Sequence, residues 1–258
     1  MEIQIIGGVS SPSQISIFSN EFVATARWHT GGRISCDVKR RPLLAQFFYK
    51  HKYLPIPQLA RIVLFLFSAI TKKTSMLIGA SLMLGCLVGI AIFRHIPANP
   101  VPVEQNPLIS TACEWVFRIA PMIILAAYIK QNIAKWHGAE HMAISSYNKT
   151  GSAEMQNIVK ESPINDECGT RLFMPLYVLT FVACYLAEYV GFSKIIFSLV
   201  TAECVLWIDR LRGWDKISGA SHISRLLQKY VATKIPGERE LRTAQRALRE
   251  LISAHRSA

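Results

Sequence analysis

The sequence predicts a mainly α, polytopic membrane protein, with about four transmembrane helices, a small N-terminal β element and a cytoplasmic helical motif region. Three observations carry this expectation. Apolar residues make up 51% of the 258-residue chain and are bunched into runs, and a helix that crosses a bilayer needs roughly 20 apolar residues in succession. Lysine and arginine outnumber aspartate and glutamate by 29 to 17, and the basic residues gather beside those runs, as cytoplasmic flanks do. Strand-like alternation of apolar and polar residues is confined to the first 42 residues.

Residues 1–42 read as a small cytoplasmic β element. Segments 14–18, 22–28 and 33–38 are strand-like, with Asn20-Glu21 and Thr30-Gly31-Gly32 as turns between them. Gly7-Gly8 and Ser10-Ser11-Pro12 mark a loop ahead of the first hairpin. The first eight residues have neither the basic nor the apolar stretch of a secretory signal.

Residues 43–75 form a basic segment and an interfacial helix. Lys50 and Lys52 precede Pro55 and Pro57, and the apolar run at 59–70 is too short to span. Residues 76–129 read as a transmembrane hairpin. Its first run, 76–93, is uncharged and holds Gly85 and Gly89 at a spacing that permits close helix packing. Pro97, Pro100 and Pro102 mark the outer loop, and Pro121 is a kink in the second run, 108–129. That run carries Glu114 and Arg118 at i, i+4, the spacing of a pair on one helix face. Charges at membrane depth point either to a structural ion pair or to a transport element.

Residues 130–171 are polar and form the cytoplasmic motif region. Residues 172–208 read as a second, shorter transmembrane hairpin joined around Gly191, with Glu203 inside its second half. Residues 209–258 are a cytoplasmic tail. Arg210, Arg212 and Lys216 open it, and an amphipathic helix closes it, introduced by Pro236-Gly237 and carrying Leu241, Ala244, Leu248 and Leu251 on one face. Basic residues before the first span, between the second and third, and after the fourth put both termini in the cytoplasm. No repeated half and no matched pair of broken helices is present, which argues against a carrier.

The six cysteines are scattered with no C-x-x-C pair, so neither a zinc ribbon nor a disulfide framework is predicted, in keeping with a reducing compartment. The net charge of +12 admits three partners or causes: orientation in the bilayer, anionic lipids, or nucleic acid. No RNA-binding signature supports the last, so the lipid bilayer is the expected partner, with a membrane protein complex as a further one.

The motif region contains K-W-H-G-A-E-H-M-A at 135–143. On a helix, His137 and His141 project from one face and can share a divalent ion, zinc above all, while Glu140 is placed to act as a general base. H-x-x-E-H is the pattern of inverted zinc-hydrolase sites. A third ligand is required, and Cys168, Asp166, Glu167, Glu154 and Glu161 are candidates in the same segment. The alternative is a polar turn at the headgroups with Glu140 solvated.

The H-G-A-E-H string, the C-G-T at 168–170 and the flanking apolar runs resemble the YqhQ-like family of bacterial membrane proteins, predicted metal-dependent enzymes of unknown function. The opening I-I-G-G-V-S-S and the tail Y-V-A-T-K-I-P-G-E-R-E-L resemble that family's glycine-rich start and its T-T-x-x-P segment with the following helix. The resemblance implies a bacterial inner-membrane location and puts His137, Glu140, His141 and Cys168 at the family's polar motif positions. It also marks two departures: Asn165 stands where the family has a histidine, and Gly7 where it has glutamate. Two functions are expected from these readings. One is a membrane-embedded metal-dependent hydrolase, with His137, His141 and Cys168 or Asp166 on the metal. The other is a non-catalytic membrane scaffold or accessory subunit of a larger complex.

Overall fold

Four strands follow one another in β1 (Ile5–Ser11), β2 (Gln14–Ser19), β3 (Phe22–Trp28) and β4 (Ile34–Arg40), and form an antiparallel sheet in the order β1-β2-β3-β4. They belong to a computed structural model of the chain, which describes residues 3–50, 57–60, 123–124, 126–212 and 220–258. The chain divides into two compact units, Met1–Ala69 with Ala127–Ala258, and Ile70–Ala126. Of the second, only residues 123, 124 and 126 are described, and all three are helical.

Short turns dictate the meander. Ser13 takes φ 66°, the left-handed position of a tight turn between β1 and β2. The Ser19 hydroxyl accepts the N–H groups of Glu21 and Phe22 and closes the next turn. Register then decides which side chains share a face. Ile15 lies opposite Ala26 and Ile17 opposite Ala24, while Cys36 and Val38 continue the same rows on β4. On β1 those rows end in Ser10 and Gly8, opposite Ile15 and Ile17.

Seven α-helices are described: α1 (Leu43–Lys50), α2 (Ala134–Thr150), α3 (Met155–Ile158), α4 (Phe173–Tyr189), α5 (Lys194–Arg212), α6 (Ala220–Leu227) and α7 (Glu238–Ser257). α2 and α7 pack on the sheet. Their core joins Ile15, Ile17, Ala24 and Ala26 of the sheet with Ala139, Met142 and Ala143 of α2 and Ala244, Ala247, Leu248 and Leu251 of α7. Alanine on both sides of the contact lets the helices lie close to the strands. α7 starts where Glu240 accepts the Gly237 N–H at 2.9 Å, satisfying one of the free amides of the first turn. α2 stops at Gly151, whose φ of 65° returns its N–H to the Tyr147 carbonyl.

α4 and α5 form a hairpin that turns at Gly191, φ 67°. Among its described side chains Ala183, Ala187, Val205 and Leu206 are buried, whereas Val182, Leu186, Ile195, Ile196, Leu199 and Val200 are exposed. A bidentate ion pair between Arg171 and Asp209, at 3.0 Å, ties its base.

The architecture is a four-stranded antiparallel sheet with helices, which corrects the expectation of a mainly α, four-span membrane protein. Among the described residues, one helix, Gly169–Ala187, is long and apolar enough to cross a membrane. The run at 195–208, expected as a fourth span, belongs to α5, which carries Lys194, Glu203, Asp209, Arg210 and Arg212 in nineteen residues. Glu203 interrupts the run and the other four charges stand at the ends of α5, so its uncharged stretches are far shorter than the roughly 20 residues a span requires. The expected span at 76–93, the larger part of that at 108–129 and the larger part of the interfacial helix at 59–70 lie outside the described residues. A second correction concerns residues 7–12, expected as a loop. Ile5–Ser11 is strand β1, and its glycines are accommodated by a shift of register between Ile5 and Gly7.

Leu248 is fully buried between α7 and the sheet. Leu248→Ala is expected to lower the unfolding free energy by about 2–5 kcal/mol, read from denaturant titration. A loss below about 0.5 kcal/mol would contradict this packing.

Candidate metal centre

Helical periodicity puts His137, Glu140, His141 and Ile144 on one face of α2. That face borders a cavity of about 370 Å³, walled on one side by Ile5, Ile6, Gly7 and Gly8 of β1 and its approach, and on the other by Asn165 and Glu167–Thr170. Gly138 lets α2 reach this position. A Cβ there would stand 2.2 Å from the Lys234 carbonyl oxygen and 3.2 Å from Pro163 Cβ. The stretch around Lys234 runs directly against the helix, its N–H donating to the Ala134 carbonyl at 3.0 Å.

The same neighbouring segments orient both imidazoles. His137 Nδ1 faces the Ala232 carbonyl at 3.1 Å, and His141 Nδ1 faces the Pro163 carbonyl at 2.7 Å. A carbonyl oxygen only accepts, so each Nδ1 carries a hydrogen and Nε2 is the ring atom left to ligate a metal. His137 Nε2 lies 3.5 Å from Cys168 Sγ, and the rings meet edge-on with centroids 4.2 Å apart. One donor atom from each of His137, His141 and Cys168 falls within 4.8 Å of the others, so the group can hold a metal ion.

Cys168 immediately precedes the helical stretch that begins at Gly169, where N–H groups and the helix dipole favour negative charge. Burial pushes its thiol pKa up, but a hydrogen bond and charge from His141, with the Thr170 hydroxyl and N–H, outweigh burial and lower it. The loop is held by paired bonds between the Asn165 backbone and the Gln228 amide, at 2.8 and 2.9 Å. Asn165 Oδ1 accepts the Glu167 N–H at 2.9 Å, so this side chain is committed to a turn.

Glu140 is buried against β1. Its carboxylate accepts a hydrogen bond from Ser10 and lies so close to Gly8 that a Cβ there would stand 2.5 Å from Oε1. Burial drives its pKa up, offset in part by the charge of His137 and the Ser10 hydroxyl.

The other expected site residues separate from this cluster. Asp166 forms a bidentate pair with Arg225 at 2.7 and 2.6 Å, and the arginine holds its carboxyl below the usual range. Glu203 caps the helical turn beginning at Gln58, accepting the Leu59 N–H at 3.0 Å and the Gln58 N–H beside it. Glu114 and Arg118 lie outside the described residues. Ser10, Gly8 and Gln228 are contributors that the sequence reading missed. Only Gly8 left a signal, as half of the Gly7-Gly8 pair in the opening segment.

Fold and cluster together define a helix-on-sheet protein with a His/His/Cys group, His141 and Cys168 buried and His137 half-buried, beside an apolar hairpin. The chain belongs to the family described as protein of unknown function (DUF1385), which matches residues 45–254 and is consistent with the YqhQ-like resemblance. No curated protein and no solved structure matches the chain.

Because folding raises the Glu140 pKa, its proton is held more tightly in the folded state. That contribution is fully present below the ordinary value of 4.5 and is lost as pH rises above it. Glu140→Gln is neutral at every pH. Chelator-treated Glu140→Gln is therefore expected to melt above the parent protein at pH 8, with the gap closing toward pH 4.5. A gap that is absent or reversed at pH 8 would contradict a desolvated Glu140.

Proposed function

We propose that this protein is a membrane-associated, metal-dependent hydrolase in which His137, His141 and Cys168 hold zinc and Glu140 is the general base. The observation that carries the reading is the fixing of both Nδ1 atoms by backbone carbonyls, with the donor atoms of the two rings and Cys168 converging. The donor set fits the ion. Zinc–nitrogen and zinc–sulfur bonds of about 2.05 and 2.3 Å at a tetrahedral angle put the two ligand atoms ~3.6 Å apart, against 3.5 Å for His137 Nε2 and Cys168 Sγ. Two imidazoles with a thiolate favour zinc over magnesium or calcium, which prefer oxygen donors.

When bound, zinc supplies Lewis-acid polarisation of a substrate oxygen and acidifies water. The chain supplies the rest. Glu140 takes a proton from the attacking water as the water oxygen bonds to the electrophilic carbon. The carbon–leaving-group bond then breaks, and Glu140 passes the proton to the departing atom. Ser10 occupies Oε2 and leaves Oε1 for the water. Burial, which raises the carboxylate's proton affinity, is what a base working near neutral pH requires.

The exposed apolar residues of the α4–α5 hairpin support a bilayer as partner. Most of its first half falls within Gly169–Ala187, among the described residues the one helix long and apolar enough to cross a membrane. Cys168 directly precedes this helix, so the site would face the headgroup boundary from the cytoplasm of a bacterial inner membrane. Arg210 and Arg212 at the same end of the hairpin suit anionic lipids. One observation favours a second reading, a non-catalytic scaffold within a membrane complex: Asn165 stands at the family's histidine position and serves a turn.

Metal analysis of the purified protein separates the readings. About one zinc per chain is expected, lost tenfold or more in affinity in His137→Ala, His141→Ala and Cys168→Ala, and kept in Asp166→Ala. Absence of stoichiometric metal leaves the scaffold. Flotation on vesicles containing phosphatidylglycerol tests the hairpin. Val182→Glu with Ile196→Glu is expected to cut the bound fraction about tenfold, and unchanged flotation would refute bilayer docking.

A further inference from the structure

The wall of the cavity opposite the Cys168 loop is strand β1. β1 stands at the end of the sheet order, and among the described residues only β2 pairs with it. Alternate N–H and C=O groups of an edge strand point away from the sheet and pair with any strand laid beside them. Ile5, Ile6, Gly7 and Gly8 of this edge strand line the same cavity as His137, Glu140, His141 and Cys168. A Cβ built on Gly7 meets nothing within 4 Å, so space lies open beside the backbone there.

The far wall is the Cys168 loop, where Glu167 and Thr170 border the cavity. The charges discriminate between ligand classes. Glu140 and Glu167 line the cavity, and among the described residues no lysine or arginine does. A phosphate or a lipid headgroup would meet carboxylates without a cation to receive it. The apolar lining comes from Ile5, Ile6 and Ile144.

We propose that the substrate of this cleft is an extended, uncharged or basic polypeptide that adds as a further strand to the edge of β1 that no described strand pairs, with its backbone passing between β1 and the Cys168 loop over the face of α2. The substrate class rests on the hydrolase reading of the metal centre. β1 supplies affinity through main-chain hydrogen bonds, the isoleucines receive alternate side chains, and the carboxylates reject acidic peptides. Four wall residues at about 3.3 Å each set a contact length of ~13 Å, or about four residues of extended ligand.

Hydrogen exchange of residues 5–11 in the full-length protein tests this directly. The probe is a mixture of blocked decapeptides randomised over alanine, valine, leucine, threonine and lysine. The controls are the same mixture with every amide N-methylated, and glycerol phosphate. The peptide mixture is expected to slow exchange in residues 5–11 at least tenfold, with no effect of either control. Equal protection by the methylated mixture, protection by glycerol phosphate, or none by the peptides would overturn the proposal. Zinc content measured on the same sample keeps the two claims apart. Protection without zinc supports strand addition and removes the metal reading, whereas stoichiometric zinc without protection removes strand addition alone.

Discussion

The centre depends on how closely α2 approaches what surrounds it. At Gly138 the Lys234 carbonyl comes to 2.2 Å of where a Cβ would be, and at Gly8 the Glu140 carboxylate fills that place at 2.5 Å. With side chains at either position, α2 would stand off from the 232–234 segment or from β1. The carbonyls of Ala232 and Pro163 would then lose His137 and His141. Two missing methyl groups therefore govern whether imidazoles, thiol and carboxylate share one cavity.

Burial at this site works because polar groups find partners supplied by the backbone. The two ring N–H groups go to carbonyls, the Cys168 sulfur receives the Thr170 N–H, and the loop carrying it is held by Gln228. A desolvated polar group without such partners costs several times what a made hydrogen bond returns. Glu140 is the strained member, with its pKa raised by burial and only Ser10 and the charge of His137 against that rise. Sites that hold a carboxylate under such conditions are where catalytic bases are found.

The grouping of H-x-x-E-H with Cys168 was legible because helical spacing alone places His137, Glu140 and His141 on one face. β2, β3 and β4 were legible from alternation and turn residues. β1 was not, since Gly7 and Gly8 interrupt the apolar pattern and only pairing with β2 makes a strand of Ile5–Ser11. Asp166 illustrates a different limit: its spacing from Cys168 suits a ligand, yet Arg225, 59 residues away, claims its carboxylate. Glu203 shows the same limit, because nothing local reveals that Gln58 and Leu59 present their N–H groups to it. The count of four spans failed because hydropathy over a run registers apolar content and overlooks the charges that bracket and interrupt α5.

Cobalt(II) substitution tests the central claim, a single metal bound jointly by two imidazoles and the Cys168 thiolate. The cobalt-loaded protein is predicted to show the intense visible bands of a four-coordinate ion together with a thiolate-to-metal charge-transfer band. Cys168→Ser should remove the charge-transfer band, and His137→Ala with His141→Ala should abolish binding. A charge-transfer band that survives Cys168→Ser, or cobalt that fails to bind the parent protein, would contradict the account.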